Sequence, residues 1–558
     1  MKVRVRTSFL ITLVLAGLSA HAYGQSGGGI QCALEEAKLL ANDGSTGDYL
    51  GWSIAISGET VVAGAPNDDD KGIQAGAAYV FARTGGVWTQ QAKLLASDGF
   101  AGDQFGWSVA ISGDTVVVGA PYGNFFNFDQ GVAYVFQRTG TEWTQQKKFA
   151  LVLSQDDHFG WSVAIDGDTI AVGMPNDSYG GQANLGRVFV YVRDGQTWTL
   201  AQQLTASNGA GFYVFGRAVS VSGDRILVGS PGAQSGNGRG AAYAFQRQRS
   251  SWLEESILVS PTPQIDNFGY AVSISGDTAV VGADRDPCAG FEAGAAYVFV
   301  DQGSTWALQQ KLLGRNTTDK DRFGYAVSID QDRVLVGGPG KTVQGVVGAG
   351  AAYSFSRSGG IWIQDAELYS SSPEMNGFGA SVSIESTFPA VGVPWDDDNG
   401  PYSGSAYIFG LLPEPVVYCT AKPNSCGTLP AIAYTGMPSA SASGPFVVSA
   451  SGTKALKSGL LLYTDSGRGS LPFSGGTLCI ASAPVKRSVA VTDTAGTPGH
   501  CDGTLSIDMN AFATGTLGGN PVASLTIPGT QIDCQFWGRD TLANGALLSD
   551  ALEYLVGA

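Results

Sequence analysis

Two runs of carboxylates offer the first chemistry in this chain: Asp68-Asp69-Asp70 and Asp396-Asp397-Asp398. Clustered oxygens suit a hard cation, and calcium wants six or more of them. Near each run stand large aromatics: Tyr122, Phe125, Phe126 and Phe128 in one segment, Trp395 and Tyr402 in another. Aromatic faces beside carboxylates suit a protein or carbohydrate ligand, with a bridging cation as a further option. Catalytic signatures are missing from the sequence. After residue 22 the only histidines are His158 and His500. No C-x-x-C supplies a zinc site, and no carboxylate pair is singled out for glycoside hydrolysis.

What must position these residues is a repeat. Asp103–Pro121 reads DQFGWSVAISGDTVVVGAP. Phe105, Trp107, Val109 and Ile111 alternate with small or polar residues, which is the period of a β-strand. Gly113-Asp114 makes a two-residue turn, and Thr115 to Val118 forms a second, β-branched strand. A Phe-Gly glycine or its equivalent recurs at Gly51, Gly106, Gly160, Gly216, Gly269, Gly324 and Gly379, at spacings of 53 to 56 residues. Each unit runs from strand A (FGWSVAIS-like) to strand B (TVVVGAP-like). A variable loop leads to strand C (GAAYVF-like), and a short turn leads to strand D. Strand D is marked by Trp88, Trp143, Trp198, Trp252, Trp306 or Trp362. Four antiparallel strands per unit and seven units predict a seven-bladed β-propeller over residues 31–412.

The seventh unit lacks strand D. The segment Glu35–Gly44 (EEAKLLANDG) matches Gln90–Gly99 (QQAKLLASDG), a strand D. The N-terminal strand is therefore expected to complete the last blade and close the ring, which removes the exposed sheet edges. The B–C loops, long and different in every blade, lie on one face; the A–B turns are short and repetitive on the other. The variable face is the expected binding face. Trp52, Trp107 and Trp161 are read as core. His158 fills a slot held by Gln104, Asn267 and Arg322 elsewhere, and is read as a surface position.

These Phe-Gly pairs and Gly-Ala-Pro endings resemble the FG-GAP repeat family, which includes the ligand-binding propeller of integrin α subunits. The resemblance implies a binding or adhesion function. It also implies an Asp-rich calcium loop between strands A and B, but here that loop is only Gly113-Asp114 or Gly58-Glu59, too short to gather the oxygens. Any calcium is expected in the B–C loops instead.

Residues 1–22, with Lys2, Arg4 and Arg6 before an apolar Phe9–Leu18, read as a secretory signal, followed by a leader over 23–30. No later segment is apolar enough for a membrane span. Residues 413–417 form a linker, and 418–558 a C-terminal β-rich, sandwich-like domain. That domain holds Cys419, Cys426, Cys479 and Cys501, which suit disulfides in an exported protein. Cys419–Cys426 with Cys479–Cys501 is one scheme, and Cys32–Cys419 is a rival pairing. The net charge of −16 and the lack of a basic run exclude nucleic acid as a partner. The sequence predicts a secreted, non-catalytic binding protein with an extracellular protein or carbohydrate ligand. The alternatives are an exported carbohydrate-active enzyme and a structural surface component.

Overall fold

A computed structural model describes residues 33–124, 129–151, 154–233, 239–262, 264–303, 305–371, 373–411 and 416–418. In the C-terminal part it describes 421, 429–436, 438, 445–453, 455, 458–466, 468–473, 476–480, 485–492, 500, 502–526, 530–540 and 545–556. Seven four-stranded antiparallel sheets follow one another along the chain. Blade one comprises strands A to D at Ser53–Ser57, Thr60–Ala65, Ala77–Thr84 and Val87–Leu94. In blade seven, strands A to C are Ser381–Glu385, Phe388–Val393 and Ser405–Leu411. Their fourth partner is Ala33–Leu39, paired antiparallel to strand C from Ala33↔Leu411 to Leu39↔Ala406. The N-terminal strand thus closes the ring, as its match to a strand D predicts. Pro389 is accommodated because it sits opposite Ile384 of strand A, while pairing to strand C starts at Ala390; a proline is tolerated where it owes the ladder no donor.

Burial explains the alternation. Both faces of each sheet are covered by neighbouring blades, so the apolar residues form clusters that each join two blades. One cluster combines Ile54, Val61, Tyr79 and Phe81 of blade one with Ala390, Ala406 and Ile408 of blade seven. Another joins Val62, Val80 and Leu94 of blade one to Val109, Val116 and Tyr134 of blade two. Strand B is the most enclosed, with Thr115–Ala120 buried at every residue.

The Phe-Gly and Gly-Ala-Pro motifs are two halves of one contact. A Cβ on Gly64, which ends strand B of blade one, would lie 1.9 Å from the carbonyl oxygen of Gly106, which opens blade two. The same approach recurs at every blade junction and closes at Gly392 against Gly51, at 2.0 Å. Serine Oγ atoms seal the joint, donating from Ser53 to Gly106 O at 2.8 Å and from Ser381 to Gly51 O at 2.8 Å. The A–B turn aspartates also have a partner. Asp114 accepts from Arg138 Nε of strand C at 2.6 Å, and Arg138 reaches across to Thr60 Oγ1 of the preceding blade at 2.9 Å.

Among its described residues the C-terminal unit has strands, a helix at Met509–Ala513 and one 3-10 turn. One sheet pairs Ala431–Gly436, Phe446–Thr453 and Gly503–Asp508. A second is built on Ser458–Thr464 against Gln531–Asp540, and Arg468–Phe473 forms a hairpin with Gly476–Ile480. Asp508 caps the helix, its carboxylate accepting from the backbone of Asn510 and Ala511. Cys288 and Cys534 are free thiols, and Cys479 is buried. Cys419, Cys426 and Cys501 lie outside the described residues, as does Cys32. No described helix is long and apolar enough to cross a membrane.

Gly106→Ala is expected to cost at least ~3 kcal/mol, since its φ is +94° and the new methyl would lie 2.1 Å from Ala77 O. Gly113→Ala, at φ +56° with open space around it, should cost only about 1 kcal/mol. Urea unfolding of the two variants measures the difference.

Candidate ligand-binding face

The residue after each Phe-Gly glycine starts strand A at the axis of the ring, on the same face as the B–C loops. Around the ring these residues are Trp52, Trp107, Trp161, Arg217, Tyr270, Tyr325 and Ala380. They line a cavity of about 260 Å³, together with Pro394 and Trp395. Adjacent rings touch: Trp52 to Trp107 at 4.9 Å, Trp107 to Trp161 at 4.8 Å, and Tyr270 to Tyr325 at 5.1 Å between centroids. The Arg217 guanidinium bridges the series, 5.3 Å from the Trp161 ring and 4.4 Å from Tyr270. The three tryptophans are half-exposed. This corrects their assignment to the core: alternation tells which face of a strand a residue occupies, but not its distance from the ring axis.

A second tier lies two residues before each glycine, at Tyr49, Gln104, His158, Val214, Asn267, Arg322 and Gly377, each with φ between +50° and +65°. That conformation folds the side chain back over the aromatic three residues later. Tyr49 meets Trp52 at 6.3 Å, His158 meets Trp161 at 5.7 Å and Arg322 lies 5.9 Å from Tyr325. Of the residues singled out in the sequence, Tyr122 packs between Trp107 and His158. Tyr402 stacks on Tyr49 at 6.0 Å. Trp395 lies so close over Gly377 that a Cβ there would meet its ring at 2.0 Å. The three therefore stand around the cavity rim. Phe125, Phe126 and Phe128 lie outside the described residues.

The rim has two characters. Blades one to three give tryptophan and tyrosine. Blades four to six give Arg217, Asn267, Asp284 and Arg322. Asp284 stands where other units carry the proline of Gly-Ala-Pro; it is 1% exposed and accepts from Asn267 Nδ2 at 3.1 Å. Burial raises its pKa, opposed by Asn267, Arg322, Arg285 and Arg217. Sequence reasoning missed this sector, although two breaks in the repeat marked it: Arg217 for an aromatic and Asp284 for a proline.

The carboxylate runs have cations of their own. Lys93 Nζ, from strand D of blade one, lies 2.8 Å from Asp68, 2.6 Å from Asp70 and 2.8 Å from Asp43. Lys38 does the same in blade seven, 2.7 Å from both Asp396 and Asp398. Asp69 and Asp397 cap their own loops, accepting from Gln74 N and Tyr402 N at 2.7 Å each. Tyr79 of strand C donates to Asp68 at 2.8 Å. Burial opposes the charge on both lysines, yet their carboxylate partners raise both pKa values well above the ordinary range. This donor set fits an ammonium and not calcium, because a second cation would meet the first at contact distance. In this structure a lysine from the outer strand occupies the place expected for calcium in each of these loops.

His158 is half-buried rather than a free surface residue. Burial lowers its pKa, against Asp129 and Asp156, which raise it. Its Nδ1 lies 2.7 Å from the Asn176 side-chain amide.

A closed ring of seven four-stranded blades, joined glycine to glycine and open at one end onto an aromatic cup, defines a β-propeller of the FG-GAP type. Seven segments match the FG-GAP repeat, at 34–81, 88–136, 143–191, 198–245, 252–299, 306–355 and 362–409. These cover more than half of the chain, which belongs to that family. It is also similar to integrin alpha-7 of Rattus norvegicus and of Homo sapiens, 30% identical over 242 and 240 residues, in each case 40% of this chain and 20% of the relative. Integrin alpha-7 of Mus musculus is 30% identical over 169 residues, 27% of this chain and 14% of the relative. The chain thus spans a fifth or less of the length of these relatives.

Two outcomes follow from these electrostatics. Lys93→Met should cost about 3 kcal/mol, because it leaves the buried Asp68 without its countercharge. The exposed pair partner Asp114→Ala should cost under ~1 kcal/mol. Denaturant titration at fixed pH compares the two. The second outcome concerns a repeated aspartate three residues before the Phe-Gly glycine. Asp48 and Asp157 accept from Ser45 N and Ser154 N at 2.6 and 2.7 Å, and burial pushes each up to about 6. A folded value above the unfolded one adds stability below the unfolded value, and that stability is lost as pH rises through the folded value. Asp48→Asn and Asp157→Asn should therefore be more stable than the parent at about pH 7.5. The gain should shrink between about pH 6 and pH 4 and disappear below that. Melting curves across this range are the check.

Proposed function

We propose that this chain is an exported, non-catalytic binding protein that takes an extracellular protein or carbohydrate ligand on its B–C loop face. The ligand inserts a flat, partly apolar group into the axial cup. The observation that carries the reading is the contiguous partly exposed series Trp52–Trp107–Trp161, continued by Arg217, around a cavity of about 260 Å³. Aromatic faces take the apolar face of a sugar ring or a side chain, and a few convergent polar groups set orientation. Arg217 beside Trp161, with Asn267 and Arg322 farther round the ring, supplies those groups. The similarity to integrin alpha-7 and the secretory reading of residues 1–22 support an extracellular location. Cys419, Cys426, Cys479 and Cys501 of the C-terminal unit are taken as disulfides in keeping with that location, and the unit itself as a module for attachment or partner contact. The reading needs no calcium in the B–C loops, since Lys38 and Lys93 hold those carboxylates.

Glycan-array and pull-down screens of the protein, run with Trp107→Ala and Arg217→Ala, test this. Capture of a ligand that falls at least about tenfold in both variants, while Asp114→Ala on the opposite face binds normally, is the expected result. Undiminished binding by both rim variants would sink the proposal. A product released from the captured glycan would favour the carbohydrate-active enzyme instead.

A further inference from the structure

His158, on the rim of the cup, also belongs to a second constellation. Asp129 comes from the B–C loop of blade two, and Asp156 and His158 come from the segment leading into blade three. Their ligand atoms all lie within 4.8 Å of one another. The two segments are tied by backbone bonds, His158 N to Asp129 O at 3.3 Å and Phe159 N to Gln130 O at 2.8 Å. Asn124 further fixes Asp129, accepting from its backbone at 3.0 Å. The imidazole is clamped between the rings of Tyr122, at 4.8 Å, and Trp161, at 5.7 Å.

We infer that Asp129, Asp156 and His158 form a binding site for a divalent first-row transition metal, with zinc as its representative. One imidazole and two carboxylates are a mixed nitrogen and oxygen set that such ions accept, and the two carboxylates balance the ion's charge. Three protein ligands leave a fourth position of a tetrahedral shell open to water or to a ligand group. Asn176 serves as the outer partner. Its amide nitrogen lies 2.7 Å from Nδ1; turning that amide over would present its oxygen to an Nδ1 proton, hold the ring and leave Nε2 as the metal donor. No lysine or arginine has an ion pair with either carboxylate among the described residues, in contrast to the lysine-filled loops of blades one and seven. The site differs from a calcium loop because it depends on a nitrogen ligand. Within the chain it is specific to one junction: the slots corresponding to His158 hold Tyr49, Gln104, Val214, Asn267, Arg322 and Gly377.

The test is titration of the full chain with Zn²⁺ by calorimetry and with Co²⁺ by visible absorption, alongside His158→Gln and Asp156→Asn. Glutamine is what the neighbouring junction carries at Gln104, so the first variant keeps a residue the fold already accepts. The expected result is one equivalent of metal and a Co²⁺ ligand-field band without a thiolate charge-transfer band, which separates this site from Cys288 and Cys534. Affinity should fall at least about tenfold in each variant while the melting temperature without metal is unchanged. No uptake by the parent protein, or uptake equal in the parent and both variants, would overturn the assignment. So would a thiolate band carrying all of the signal.

Discussion

The close approach of two glycines across each blade junction is the constraint on which the remaining structure depends. One glycine ends strand B, the other opens strand A of the next blade, and at each of the seven junctions a Cβ on the strand-B glycine would lie between 1.9 and 2.2 Å from the carbonyl of the other. Only two residues without side chains permit that distance, and the second must also hold φ near +90°. The contact sets the radial position of strand A and hence the width of the channel. With seven junctions it also fixes how much each blade turns relative to the last. The buried clusters between blades then fill the space these contacts define, which is why each cluster draws on two neighbouring blades and none is confined to one.

Because the glycine pair is so demanding, the fold was readable from the sequence. Phe-Gly and Gly-Ala-Pro recur with a spacing that varies by at most three residues, and a misplaced strand D at Glu35–Leu40 has one vacancy to fill, beside Phe409. The candidate site was less readable, for two physical reasons. In a propeller both faces of a strand are interior, so a two-residue period cannot separate a tryptophan at the interblade core from one over the axis. Trp107 and Val109 have the same parity, yet Trp107 stacks on Trp52 and Trp161 in the cup while Val109 joins the cluster between blades one and two. The second reason is that charge pairing runs between strands about 25 residues apart. Lys93 reads as an outer-strand surface residue until strand D is laid beside strand C and its ammonium arrives above Tyr79, among Asp43, Asp68 and Asp70.

The seven blades also act as seven trials of one electrostatic arrangement. The loop slot of Asp68 is occupied by Asp286 in blade five and Asp396 in blade seven, and the strand-D slot of Lys93 by Lys311 and Lys38; all three pairs are in contact. In blade four both slots are apolar, Ala233 with Ile257. In blade six the signs are exchanged: Lys341 stands in the loop and Glu367 on the strand, with Lys341 lowering the glutamate's pKa against the larger effect of burial. A carboxylate kept for a ligand would have no reason to vanish together with its lysine, or to trade places with it. Blades two and three break the pattern: Gly123 stands opposite Lys148, which pairs with Asp98, and Asp177 stands opposite Gln203 and pairs instead with Arg187 of strand C. In blades one, five and seven the carboxylate and lysine form an ion pair that ties the loop to the outer strand.

The positions that set the chemistry of the rim are those where the repeat breaks. Arg217 replaces an aromatic, Asp284 replaces a proline, Ala380 leaves a gap that Trp395 covers from its loop, and His158 meets two carboxylates with no lysine ion pair among the described residues. All four lie on the rim of the same face. The repeat holds its backbone in nearly the same geometry at every junction, with φ between +50° and +65° two residues before each glycine, so a substitution there changes the chemistry presented without changing where it is presented. That separation of position from identity lets one ring carry an aromatic half, a guanidinium half and a nitrogen–oxygen triad side by side. It also means that function in this chain has to be sought in residues that differ between blades, on a surface whose shape is set by residues that do not.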